Sequence, residues 1–221
     1  MRKLTKRYTV AEMIPMLDAS PTRILEWRDK YQIEILQLAS PLTRYRHHPA
    51  IDFGYDCGAF TMNPLSNPNW IPQEKAMMYI CKWVVLPDVV GCARATNALF
   101  HLMKHEFTPL KRAIVAQNGA ENHHNEDLAI PWDEIGCLFI GGTSDWKDTH
   151  GLKLAIYAKT HYPHIWVHVG RVNTKRRVSL FFDHAESFDG SGLVRYGMLE
   201  PLIPRIKELQ RSKQKKLEDF A

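Results

Sequence analysis

Six apolar runs in this 221-residue chain each end on a residue of a kind that can act on a ligand. They end on Asp56 in YDCGAF, Asp88 in LPDVVG, Gln117 in VAQNG, Gly141 and Gly142 in FIGGTSDW, Arg171 in HVGRVN and Asp189 in SFDGSG. Taken alone, Asp189 ahead of Gly-Ser-Gly is a turn signal, because Asp and Gly are ordinary turn residues. A turn cap accounts for any one of these endings but poorly for six in succession. Two carboxylates across a pocket are a device for breaking a glycosidic bond through an oxocarbenium-like state. One attacks the sugar carbon while the other moves protons. A third carboxylate, an amide and a bare glycine turn suit the edge and face of a planar heterocycle.

The apolar runs themselves say how such residues could converge. Candidate strands are IEILQLAS from Ile33, AIDFGYD from Ala50, WVVLPD from Trp83, AIVAQ from Ala113, CLFIGG from Cys137, IWVHVGR from Ile165 and ESFDG from Glu186. Candidate helices fall near residues 9–30, 73–81, 92–106, 147–161, 174–184 and 200–218. Ser20 followed by Pro21 is a good helix opening, an N-cap side chain and then a ring that fixes the first helical φ. Nearly all-apolar strands are buried on both faces, and their alternation with helices makes them parallel. Seven of them predict an α/β fold, a compact or incomplete (β/α) TIM-like barrel with outer helices, since a full one normally takes about 250 residues. In such a barrel the C-terminal strand ends share one mouth, where the chemistry sits. A doubly wound open sheet is the alternative; no G-x-G-x-x-G follows the first strand, which weakens its dinucleotide-binding form.

Composition sets wider bounds. Hydrophobic content of 45% and charged content of 24% fit one globular domain over residues 1–221, ending in a basic helix at about 200–218. The three prolines of Asn63–Gln73 read as a surface loop rather than a boundary. No apolar run is long enough for a membrane span and no signal-peptide core follows the basic N-terminus, so a cytoplasmic location and no membrane partner are expected. Cys57, Cys81, Cys92 and Cys137 lie far apart without a C-x-x-C pair, and the histidine pairs His47–His48 and His123–His124 lack a partner carboxylate at ligand spacing. Neither a metal site nor a cofactor is therefore expected. The net charge of +5 gathers at Arg2, Lys3, Lys6 and Arg7, at Arg171, Lys175, Arg176 and Arg177, and along the C-terminal segment from Arg205. Clustered cations favour phosphate contact. Met77, Met78, Trp83 and Trp146 read as core; His168 and His184 are further candidates for phosphate or base contacts.

The ordered set YDCGAF, LPDVVG, VAQNG, FIGGTSDWK, HVGRVNTKRR and AESFDGSG resembles the tRNA-guanine transglycosylase superfamily over roughly residues 50–195. It is most similar to the DNA-acting branch, the 7-deazaguanine DNA transglycosylases. The resemblance implies that Asp189 is the nucleophile that bonds to C1′ and that Asp56 is the general acid/base. It implies that Asp88 reads the Watson–Crick edge of guanine, with Gln117, Gly141 and Gly142 around the base. Arg171, Lys175, Arg176 and Arg177 would lie along the nucleic-acid backbone. The tRNA enzymes' C-x-C-x-x-C…H zinc site is missing from this sequence, which shifts the implied substrate from tRNA towards DNA. GGTSDWK stands where those enzymes have G-G-L-A-V-G-E, which leaves the base specificity open.

The expected activity is exchange of guanine in DNA for a free 7-deazaguanine base, with DNA presenting a flipped nucleotide. If water resolves the covalent intermediate instead, the protein is a DNA glycosylase that leaves abasic sites, for example on hypermodified phage cytosine. A catalytically silent nucleic-acid-binding module and a barrel enzyme acting on a free nucleoside complete the alternatives.

Overall fold

The computed structural model describes residues 13–42, 46–59 and 80–219. The N-terminal basic cluster, the proline-rich loop, most of the helix expected at 73–81 and the Met77–Met78 pair lie outside the described residues. The described chain forms a closed barrel of eight parallel strands in sequential order, β1 (Ile14–Leu17), β2 (Leu36–Ala39), β3 (Phe53–Tyr55), β4 (Val84–Val85), β5 (Arg112–Ala116), β6 (Cys137–Ile140), β7 (Trp166–Val169) and β8 (Ser187–Phe188). The (β/α) barrel expected from the alternation of strands and helices is therefore present, and it is complete rather than partial. The open doubly wound sheet is excluded by the pairing of β1 with β8, Ile14 opposite Ser187 and Pro15 opposite Phe188.

The closing strand is the element that the sequence concealed. Residues 9–30 read as one helix, whereas β1 occupies Ile14–Leu17 and α1 begins only at Pro21. Pro15 lies inside this four-residue strand, and proline removes a ladder donor, so the run looked unlike a strand. Ser20 caps α1 (Pro21–Tyr31) as expected, its Oγ accepting from the Arg23 amide at 3.4 Å.

Strand after strand is buried on both faces, as Cys137–Ile140 shows with all four residues buried. Aromatic rings fill the interior. Trp83, Phe139 and the His168 imidazole pack together, with ring centroids 4.8 Å apart for Trp83–His168 and 4.5 Å for Phe139–His168. Gly54 makes room for this packing, because a Cβ there would lie 2.5 Å from the Trp83 ring. Outside the barrel run α2 (Ala93–Met103), a helical segment after β6, α5 (Lys175–Phe181) after β7, the short α6 (Ser191–Arg195) and the long α7 (Leu199–Glu218). The segment after β6 departs from the single helix expected at 147–161. It starts as α3 (Ser144–Trp146), widens into a π-turn over Lys147–Gly151 and continues as α4 (Leu152–His161). Gly151 lets this turn close on the barrel, since a Cβ there would stand 2.7 Å from Ile140. Among the described residues, no helix is long and apolar enough to cross a membrane.

Candidate active site at the barrel mouth

The C-terminal strand ends open into a cavity of about 580 Å³. Asp56, Asp88, Gln117, Gly141, Gly142, Arg171 and Asp189 all line it. The six strand endings therefore do share one mouth. Lys175, Arg176 and Arg177 do not line the cavity; they form the first turn of α5.

Asp189 follows β8 directly and is held by donors on both oxygens. The Arg171 amide donates to Oδ1 at 2.9 Å, and His168 Nε2 lies 3.0 Å from Oδ2. His168 is fully buried, with Nδ1 2.8 Å from Ser187 Oγ, which in turn accepts from Trp166 Nε1 at 2.7 Å. An ionised carboxylate only accepts, so the 3.0 Å contact with Asp189 Oδ2 calls for a proton on Nε2 and leaves the Nδ1 lone pair to accept from the Ser187 hydroxyl. Burial holds His168 below its usual pKa, so the ring is a neutral donor. Asp189 is also buried, which alone would raise its pKa. The His168 hydrogen bond, the Arg171 amide and the charge of Lys147 outweigh that effect and keep the carboxyl below its usual range.

Asp56 has the opposite character. It follows β3, and burial, reinforced by the negative charge of Asp189, pushes its pKa from 3.8 up to about 7. Its Oδ1 accepts from the Gly58 amide at 3.1 Å. One carboxylate is thus ionised near neutrality while its neighbour is poised to hold or release a proton, the separation that acid/base chemistry needs.

Asp88 is braced between two donors. Cys57 Sγ lies 3.2 Å from Oδ1, and Gln117 Nε2 donates to Oδ2 at 2.6 Å. Burial nonetheless raises its pKa. Gln117 Oε1 accepts from the amides of Gly91 at 3.0 Å and Gly142 at 2.9 Å. The Gln117 side chain thus ties the loops after β4, β5 and β6 together and orients Asp88. The Gly141 amide is bonded to Ala116 O and the Gly142 amide to Gln117, so a ligand would meet the surface of this turn rather than those two N–H groups. Their bareness is nevertheless required. A Cβ on Gly141 would lie 2.6 Å from Val115. Gly142, at φ +68°, is closed over by Trp146, 2.3 Å from where its Cβ would be. Trp146 is buried core, as expected, with its Nε1 on Glu121 at 2.5 Å.

The Gly-Ser-Gly after Asp189 has a similar cause. Asn173 packs against both glycines, its Oδ1 2.2 Å from a Cβ on Gly190 and 3.1 Å from one on Gly192. Gly190 also lines the cavity, so the same thin backbone serves packing and access.

The basic cluster after β7 divides. Arg171 adopts a left-handed φ of +57°, unusual for a residue with a side chain, and its guanidinium donates to Gly142 O. Arg177 is mostly buried against Asp148, Nε to Oδ1 at 2.6 Å, and Arg176 reaches the same carboxylate at 2.5 Å while staying largely exposed. Three of the four cations read as backbone-binding, Arg171, Arg176 and Arg177, are therefore engaged within the protein. Of two groups near Asp189, Lys147 was not singled out from the sequence, and His168, expected at a phosphate or base, is instead fully buried against Asp189 and does not line the cavity. His184 lies away from the cavity and is not among its lining residues. Among the described residues, no group of three or more His, Cys, Asp or Glu is arranged to hold a metal ion.

No family model and no curated protein matches the sequence. Solved structures match in fold. One described as "Native KDPGal structure" superimposes with a TM-score of 0.51 at 11% identity, covering 97% of this chain and 100% of its own. A second, a cube-shaped, highly porous protein cage designed by fusing symmetric oligomeric domains, gives a TM-score of 0.48 at 12% identity over 96% of this chain and 77% of its own. At such identities the first likeness speaks to the barrel alone.

Proposed function

We propose that this barrel cleaves the N-glycosidic bond between a nucleobase and deoxyribose in DNA, and that it exchanges guanine for a 7-deazaguanine base. The observation that carries this reading is the pairing of an ionised Asp189 with a protonatable Asp56 around one cavity. Asp189 attacks C1′, the C1′–N bond breaks, and the bonding electrons leave with the base, which takes the Asp56 proton. The Asp56 carboxylate then removes a proton from the incoming heterocycle, whose nitrogen attacks C1′ and releases Asp189. Asp88, fixed by Cys57 and Gln117, presents acceptor oxygens to N–H groups on the base edge. A base inside a duplex has to be extruded before it can reach this mouth, at a cost of about a few kcal/mol. Exposed cations on the long C-terminal helix are available to the phosphate backbone.

The deciding experiment assays unmodified DNA, deazaguanine-modified DNA and phage DNA with hypermodified cytosine, with and without free 7-deazaguanine. Incorporation of the added base, absent in Asp189→Ala, is the expected result. Abasic sites formed without added base would replace exchange by hydrolysis. No turnover on any DNA, with parent and variant alike, would overturn the reading.

A further inference from the structure

Lys147 is the most deeply buried cation near the site, 1% exposed, yet it does not line the cavity. Its Nζ donates to the carbonyl oxygen of Gly170. That carbonyl belongs to the same peptide group as the Arg171 N–H, and the Arg171 N–H is the donor to Asp189 Oδ1 at 2.9 Å. A single planar amide therefore carries a cation on its oxygen and the candidate nucleophile on its nitrogen. The left-handed φ of Arg171, +57°, belongs to the residue that carries this N–H. Gly170 itself is confined, because a Cβ there would stand 2.6 Å from Phe139.

We propose that Lys147 is a positioning residue for Asp189 and acts through the Gly170–Arg171 peptide. An ammonium on the carbonyl polarises the amide and strengthens the N–H as a donor, as hydrogen bonds in series do. The Lys147 charge also lies close enough to lower the pKa of Asp189. Burial, with Arg171 and Arg177 nearby, brings the lysine from 10.5 down to about 7, while Asp148 and Asp189 act in the opposite direction. His168, from β7, is the remaining titratable neighbour and is itself kept neutral by burial. The relay would therefore weaken as the lysine loses its proton near neutrality.

The significance of Asp189 rests on the function proposed above, but its coupling to Lys147 can be measured without turnover. Carbon-13 carboxyl NMR would follow the Asp189 titration in the parent protein, Lys147→Met and Lys147→Gln. Replacing a buried ammonium by methionine removes a desolvation cost, which favours folding of the variant. In Lys147→Met the Asp189 midpoint should rise by about one pH unit, and the Arg171 amide proton should move upfield as its hydrogen bond weakens. Lys147→Gln, which can still donate to Gly170 O, should fall between the two. An Asp189 midpoint unchanged in both folded variants would overturn the proposal.

A second measurement needs no substitution of the lysine. In an Asp56→Asn background, which removes the other group titrating near neutrality, the Arg171 amide proton should shift with a midpoint near pH 7. An Arg171 amide proton that stays still while nitrogen-15 NMR shows the Lys147 ammonium losing its proton would also overturn the proposal. Failure of the parent protein to act on DNA would refute the proposed reaction while leaving these titrations readable. If turnover is found, Lys147→Met should lower kcat without changing KM.

Discussion

Asp56→Asn should make the protein more stable in alkaline solution than in acid, relative to the parent. The folded chain binds the Asp56 proton until about pH 7, whereas an unperturbed aspartate releases it near 3.8. Folding therefore favours the protonated form. The Asp56 contribution to the parent's stability is at its full value below about pH 4, falls progressively as pH rises towards 7 and levels off above that. A displacement of about three units, at about 1.4 kcal/mol each, gives a penalty of about 4 kcal/mol once both states have lost the proton. Asparagine can still accept from the Gly58 amide but never ionises. Urea titrations of parent and variant at intervals from pH 4 to 8 should show the stability difference moving by about 4 kcal/mol in favour of Asp56→Asn. A difference that stays constant across that range would mean that Asp56 ionises as an ordinary surface aspartate does. The acid/base role proposed for it would then fail with it.

Two further outcomes follow from the contacts around the cavity. His168→Leu removes the donor to Asp189 Oδ2, a hydrogen bond to a charged group worth about 1.5–3 kcal/mol, and should raise the Asp189 pKa by about one to two units in a carboxyl NMR titration. Because the depressed pKa of Asp189 adds stability above its unfolded value and loses it as pH falls through the folded one, the stability cost of His168→Leu should shrink in acid. Gln117→Leu strips acceptors from the Gly91 and Gly142 amides and a donor from Asp88. Its unfolding free energy should fall by about 2–4 kcal/mol, with a lowered thermal midpoint as the check.

Much of the barrel was legible because its strands are short runs without a polar face, which two-sided burial requires. Seven of them stood out, and their polar endings lined up because parallel strands all point the same way. The eighth, Ile14–Leu17, was hidden by Pro15 and by its closeness to α1, and its pairing with β2 on one side and β8 on the other shows it as a strand. The cavity-lining carboxylates could be read as a set, but their difference could not. The sequence offers His168 as a contact for a ligand but does not reveal that it, Ser187 and Trp166 form a chain to Asp189, because their side chains meet only when β7 and β8 pair. Lys147 sits in a segment that reads as an ordinary helix; the π-turn that turns it inward depends on the bare Cα of Gly151 against Ile140. Arg177 shows the opposite error of scale. In sequence it is one of a run of cations, whereas in the fold it is mostly buried and shares the Asp148 carboxylate with Arg176.

The two carboxylates that frame the proposed reaction are the same residue type, both buried, so burial alone would raise both pKa values. What separates them is the sign of the charge that each faces. Asp189 ends a strand whose neighbour supplies a neutral imidazole and a backbone amide, with a lysine behind the amide. Asp56 has the Gly58 amide and the Cys57 thiol beside it but faces the negative charges of Asp189 and Asp88. The ionisation of one therefore helps to hold the proton on the other. Donors placed around Asp189 act on Asp56 as well, without touching it. Any substitution that neutralises Asp189 should consequently lower the Asp56 pKa, so loss of the nucleophile and loss of the acid cannot be separated by turnover measurements alone. Their titrations have to be followed residue by residue.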